Sequence, residues 1–305
     1  MSGGVIVSGN WGKALWPGVN AFWGKYYNEH DVEWKVLFEQ LKSRKQFEED
    51  VGTVGLGLAA VKAEGKPVSY DNDFQSFLTR YTHVEYALGF MITRIMMEDD
   101  LYDVAAEKRT KSLAFSMRQT KEIIAANVFN RAFNSSYVGG DGVSLLNATH
   151  PNKSGGTWSN TLAVAADLSE AALEQAVIDI GKYRNDRGLR IRVTPQSLHI
   201  PVDLQFEAER ILMTPNRVGT ANNDINALNA MSKFPKGVHV NHYFEDTDAW
   251  FLLTDCPDGM KYWERRGMEF TMDNDFDTDN AKFKATERYS FGWTDPRAAY
   301  GSPGA

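Results

Sequence analysis

The spacing of hydrophobic residues changes several times along the chain, and each change predicts an element. Residues 1 to about 48 crowd Trp11, Trp16, Phe22, Trp23, Tyr26, Tyr27, Trp34, Phe38 and Phe47 among glycines, Pro17 and polar residues without a sustained period. This predicts an arm, helical only over 31–49, that lies against the subunit or a neighbour, because large apolar side chains do not hang free in water. From Val51 to Ile95 the texture becomes glycine-punctuated alternation, with strand-like flanks around the polar tip Lys62–Pro67, where Gly65 and Pro67 are turn residues. A long projecting hairpin follows, and it needs another surface to lie on, since an isolated hairpin is marginal in water.

Residues 99–134 carry the strongest helical signal, a stripe of Leu113, Met117, Thr120, Ile124, Val128 and Ala132. Asp99 or Asp100 caps the start, Asn134 and Gly139-Gly140 mark the end, and the length comes to roughly 50 Å at about 1.5 Å per residue. A polar connection, 139–161, leads to a second helix with Ser169 as N-cap, Leu168 and Leu173 as staple and Gly188 beyond its end. Leu189–Thr194 and Leu198–Val202 alternate as strands before Asp203 caps a short helix through Met213. After a polar loop, 214–229, the segments 238–244 and 250–254 pair as a hairpin, and the turn at Pro257-Asp-Gly259 starts another. The strand 282–293 sets Phe283, Tyr289, Phe291 and Trp293 on one face.

Composition narrows the classes of function. A chain of 305 residues, 43% hydrophobic and 24% charged, builds a sizeable core. No run of about 18 apolar residues offers a membrane span, and the opening Met-Ser-Gly-Gly-Val lacks the regions of a signal peptide, so no membrane partner and assembly in a cytoplasm are expected. The single Cys256 excludes an intrachain disulfide. A net charge of -7 is the reverse of what a dedicated nucleic-acid binder needs, although such a protein can enclose DNA without gripping it. The 17 Phe, 12 Tyr and 8 Trp suit extensive self-contact surfaces as well as a large core.

Candidate chemistry is sparse. His239 and His242 stand three apart, and on a strand such side chains diverge instead of sharing a metal. Asp273, Asp275, Asp277 and Asp279 resemble the start of a calcium loop, but the glycine and the closing acid of that loop are missing, which leaves a solvated acidic turn. No phosphate-cradling glycine motif or nucleophile elbow is present, and no triad can be placed. Lys108, Arg109, Lys111, Arg118, Lys121 and Arg131 fit a solvated face of the long helix. No catalytic, cofactor-binding or metal-ligating residue is therefore assigned, and no cofactor is expected.

The parts in order are an aromatic arm, a projecting hairpin, a long spine helix, a second α/β region and a returning terminal strand. Tyr86-Ala-Leu-Gly-Phe, Met97-Glu-Asp-Asp-Leu-Tyr102, Thr120–Asn130, Asp141-Gly-Val-Ser-Leu, Thr149-His-Pro151, Asp273–Lys284 and Glu287–Pro296 resemble segments of tailed-phage major capsid proteins, including the Mu-like prophage head subunit. The resemblance implies an α+β Hong Kong 97-like coat fold: an N-terminal arm at 1–50, an extended β-hairpin loop at 51–90, a peripheral domain with the spine helix at 91–165 and 270–305, and an axial α/β domain at 166–269. It implies a non-enzymatic subunit that self-assembles into hexamers and pentamers and closes an icosahedral shell around double-stranded DNA. The expected partners are further copies of itself, a portal, a decoration protein and, without a long charged N-terminal extension, a separate scaffolding protein. Some relatives crosslink a loop lysine, which draws attention to Lys62 and Lys66; lysines at hairpin tips usually only keep an edge soluble. An encapsulin-like nanocompartment shell is the same-fold alternative, and a cation-dependent hydrolase using the 273–279 cluster with His239 or His242 is the alternative of another class.

Overall fold

The computed structural model describes residues 23, 27, 32–98, 102–216, 224–275 and 280–305. A 3-10 turn, Trp34–Val36, leads into strand β1 (Glu39–Lys42), followed by β2 (Phe47–Thr53). The helix expected over 31–49 is replaced by this turn and two strands. Trp34, Leu37, Phe38 and Leu41 mimic helical spacing, but only the first three are buried at the turn, after which the chain extends to pair in parallel with a later strand, Glu39 opposite Lys261. Tertiary pairing overrides a local pattern here.

Strands β3 (Gln75–Thr82) and β4 (Val84–Ile92) precede helices α1 (Arg94–Glu98) and α2 (Tyr102–Asn130). Along α2 the buried positions are 110, 113, 114, 117, 118, 121, 122, 125, 126 and 129. The stripe is therefore rotated from the expected one: Leu113 and Met117 belong to it, whereas Thr120, Ile124 and Val128 lie at its margin. The rotation brings Arg118, Lys121 and Glu122 inside, so the cations of this helix do not form one solvated face. The proposed caps Asp99 and Asp100 lie outside the described residues.

The connection contains the two-residue strands β5 (His150–Pro151) and β6 (Thr157–Trp158), paired with each other. Helix α3 (Glu170–Gly181) starts where expected, the Ser169 hydroxyl accepting the Ala172 N–H at 3.2 Å, with Leu168 and Leu173 both buried. It ends at Lys182, and Gly188 belongs to a later tight turn instead of the helix end. Leu189–Thr194 forms no strand; β7 is Pro195–Pro201, with Leu198 and Ile200 fully buried. Helix α4 (Gln205–Met213) follows a 3-10 turn at Val202–Leu204 that takes Asp203 away from the cap, and α5 (Ala227–Ala230) is capped by Asn226.

Strands β8 (Val238–Asn241) and β9 (Trp250–Thr254) are not the expected hairpin. Strand β7 lies between them, parallel to β8 and antiparallel to β9. Strands β10 (Met260–Asn274) and β11 (Ala281–Trp293) form one long hairpin, and β12 (Ala299–Ser302) pairs with β9. Two four-stranded sheets result, ordered β1-β10-β11-β4 and β12-β9-β7-β8. The sequence divisions shift accordingly: β4, expected in the 51–90 loop, pairs with β11 instead of joining the hairpin, β10 runs across the 269/270 boundary, and β12 joins the sheet of the 166–269 region. Side chains of β9 alternate between two cores, Trp250 and Leu252 packing with α3 and α4, Phe251 and Leu253 with α2 and Tyr262. Strand β9 is thus the seam between the two lobes.

Candidate functional site

The exposed apolar surface concentrates at the hairpin. Strands β2 and β3 pair from Phe47–Thr82 to Thr53–Gln75, with a bulge after Val51, and beyond them Val54 N–H donates to Phe74 O at 3.1 Å. The connecting loop turns at Gly65, whose φ of +74° favours glycine. Leu58 is 82% exposed, Tyr70 94% and Val61 wholly so, with Leu56, Val68 and Phe74 also open. So much apolar surface on one loop marks a contact region. Lys62 and Lys66 are exposed beside it.

The root of this hairpin is held much more firmly than its loop. Asp50 on β2 is ion-paired to the buried Lys261 of β10 and accepts the Thr294 hydroxyl at 2.7 Å, while Lys261 also reaches Asp258 at 2.8 Å. Burial works against the Asp50 carboxylate, but hydrogen bonds from Lys261 and Thr294 outweigh it and keep its pKa below the usual range. Tyr81 of β3 is buried and shares a 2.7 Å hydrogen bond with Thr294. Ser76 donates to Asp186 at 2.5 Å, and Asp186 in turn pairs with the buried Arg297 at 2.7 Å. Farther out, Asp71 pairs with Arg187 at 2.7 Å. Gly140 lies so close under β3 that a Cβ would fall 2.5 Å from Leu78 O.

The arm root is a second junction. The N–H groups of Glu33 and Trp34 donate to Glu122 of α2 at 3.2 and 2.9 Å, and Glu33 receives His242 N–H and faces its Nδ1 at 2.9 and 2.6 Å. Burial raises the Glu122 pKa to about 7, against the lowering effect of the two N–H donors. Trp34 packs on Tyr262 with ring centroids 4.4 Å apart, and Trp23 stacks on Phe270 at 4.8 Å. Between them Lys121 forms an ion pair with Glu287, both buried, and Tyr27 donates to Glu287 at 2.6 Å. Trp11, Trp16, Phe22 and Tyr26 lie outside the described residues.

The candidate metal residues are not brought together. His239 stacks on His199 of the neighbouring strand at 5.0 Å, whereas His242 turns to Glu33, so the pair diverges as strand geometry requires. Burial holds His199 neutral, its pKa lowered to about 3. Asp275 pairs with Lys282 at 2.9 Å, and Asp277 and Asp279 lie outside the described residues. Among the described residues no group of three His, Cys, Asp or Glu side chains could hold a metal ion. Burial pushes the Cys256 thiol up, away from the reactive thiolate. One polar cluster went unread in the sequence: His150 is fully buried between Asp141 at 2.6 Å and Asn160 at 3.0 Å, stacked on Trp158 at 4.6 Å. Asn160 also donates to the carbonyls of Leu145, Pro296 and Ala299. This fastens the connection to strand β12, and the Asp141-Gly-Val-Ser-Leu and Thr149-His-Pro151 strings were its signals.

With this geometry in hand, the family model for phage capsid protein matches residues 78–302. The chain belongs to the phage capsid protein family. Solved structures similar to this capsid protein include a virus-like particle from Pyrococcus furiosus, 11% identical with a TM-score of 0.53 over 94% of this chain and 98% of that one. Another is that of Microbacterium phage Oxtober96, 8% identical with a TM-score of 0.52 over 90% and 91%. A native GTA particle capsid is 14% identical with a TM-score of 0.50 over 88% of each. At these identities the likeness is one of fold, the Hong Kong 97-like coat fold. No curated protein sequence matches significantly. The capsid protein is a shell subunit, and no described helix is long and apolar enough to cross a membrane.

Proposed function

We propose that this capsid protein assembles as hexamers and pentamers into the icosahedral head of a tailed phage, enclosing double-stranded DNA without reading its sequence. The observation that carries this is the contrast within the hairpin, a buried polar root supporting a loop of exposed Leu56, Leu58, Val61, Val68 and Tyr70. An apolar loop on a firmly held root suits heterologous contact with the next copy in a closed ring, and several such contacts per subunit add up to a durable container. In this reading the arm, loop, peripheral and axial regions keep roughly the divisions 1–50, 51–90, 91–165 with 270–305, and 166–269, adjusted at β4, β10 and β12. Further copies, a portal and a separate scaffolding protein are the partners, with assembly in the host cytoplasm. The subunit acts through contact and not through catalysis.

The test removes the loop and keeps its root. Replacing residues 55–73 with Asn-Gly closes the hairpin on the Val54–Phe74 pair. The expected variant has wild-type circular dichroism but sediments as a monomer where the wild type forms capsomers or shells. Shell formation at the wild-type concentration would refute a role for the loop.

A further inference from the structure

The segment 182–192 carries Lys182, Arg184, Arg187, Arg190 and Arg192 against a single acid, Asp186, a net of +4 in a chain whose total is -7, so the remainder carries -11. This segment is a built turn. Asn185 N–H donates to Leu189 O at 2.8 Å and Ile191 N–H to Tyr183 O at 3.1 Å, while Gly188 has a φ of +79°. Asn185 Oδ1 accepts the N–H groups of Arg187 and Leu189. Those bonds make Arg184 and Arg190 directly opposed partners at a non-hydrogen-bonded position, where cross-strand side chains come closest. Like charges directly opposite are unfavourable.

Two of the segment's ionic groups are accounted for at once: Asp186 serves the buried Arg297, and Arg187 serves Asp71. Lys182 reaches Asp179 at 4.0 Å. Arg184 donates only to the Gly188 carbonyl, at 2.7 Å. Among the described residues no carboxylate pairs with Arg184, Arg190 or Arg192, and all three side chains are exposed. A turn fixed by its backbone bonds thus presents exposed guanidinium groups, two of them directly opposed, where an approaching anion can bridge them.

We propose that this turn is a carboxylate-binding contact that docks on the acidic surface of a second copy of the chain, a detail that rests on the shell reading above. Charge complementarity selects the occupant. Each copy offers a -11 remainder to its neighbour's +4 turn, and duplex phosphate is the competing anion that the DNA arm of the test separates from it. Guanidinium forks grip carboxylates bidentately, so the contact fixes register between copies as well as attraction.

The test compares the full-length wild type with the double variant Arg184→Gln/Arg190→Gln by sedimentation velocity across protein concentration, at about 50 and about 300 mM salt, with and without random-sequence duplex DNA. The variant is expected to keep the wild-type melting temperature or exceed it, since a repulsion has been removed. Its assembly threshold is expected to rise roughly tenfold at low salt, about 1.4 kcal/mol, with the difference shrinking at high salt and independent of DNA. Should the double variant fail to fold, Arg190→Gln alone gives the same reading, because that side chain makes no other bond among the described residues. Assembly at the wild-type threshold overturns the proposal. A defect confined to samples with DNA also overturns it, by assigning the turn to phosphate. A wild type that never assembles, alone or with a candidate scaffolding protein, refutes the shell reading itself, and the proposed contact falls with it.

Discussion

Buried charge at the arm root decides several residue-scale outcomes. Lys121 and Glu287 are both almost fully enclosed, and Lys121 also sits over the Tyr289 ring at 5.0 Å. Removing one member strands the other in a medium that cannot solvate it, so Lys121→Met should cost about 3–5 kcal/mol in chemical denaturation, and Lys121→Met/Glu287→Leu should recover most of that. Glu122 gives a pH dependence. Its folded pKa of about 7 stands above the ordinary 4.5, so the folded state binds the extra proton and this group's contribution declines as pH rises from 4.5 through 7. Buried His199, lowered to about 3, acts in the opposite sense: stability is lost as pH falls below about 6.5. Comparing wild type with Glu122→Gln cancels the histidine, and the wild type should lose up to about 3 kcal/mol relative to the variant between pH 5 and pH 8. A constant difference across that range would contradict the assignment. These residues were not legible as such, because Lys121 read as one of the cations of a solvated helix face and Glu122 carried no signal of its own, and only the rotation of the stripe turned both inward.

Three elements with local evidence came through in the sequence, although the Asp203 cap and the Gly188 helix end, also local, did not, and elements decided by distant pairing were missed. The α3 cap at Ser169, the long α2 helix and the alternating face of β11 each depend on residues within a few positions, and all three form where expected. Strand β1 depends on β10, more than two hundred residues away, and the insertion of β7 between β8 and β9 cannot be read from either segment. The hairpin stands between these cases, its turn residues legible but its root anchored by Lys261, Thr294 and Asp186 from remote parts of the chain. The tight contact at Gly140 makes that anchoring testable. Gly140→Ala forces β3 away from the turn beneath it, with an expected loss of about 1–3 kcal/mol and faster trypsin cleavage after Lys62. Unchanged stability and cleavage would mean that the root does not position the loop.

On the scale of the whole molecule, two lobes share strand β9, the long β10–β11 hairpin stiffens one of them, and the apolar loop projects from a polar root. The order of parts pointed to the coat fold before any pairing was known, because arm, hairpin, spine and returning strand follow one another along the chain. The contact surface itself was less legible, since exposure is a property of the folded whole: Leu58 and Tyr70 have the same side chains in a core as on a loop. Self-assembly is the property that unites these features. Negative-stain electron microscopy of the full-length protein, expressed alone and with a candidate scaffolding protein, tests it most directly. Uniform closed shells, or free hexamers and pentamers, are the expected result; monomers or dimers in both preparations would contradict it.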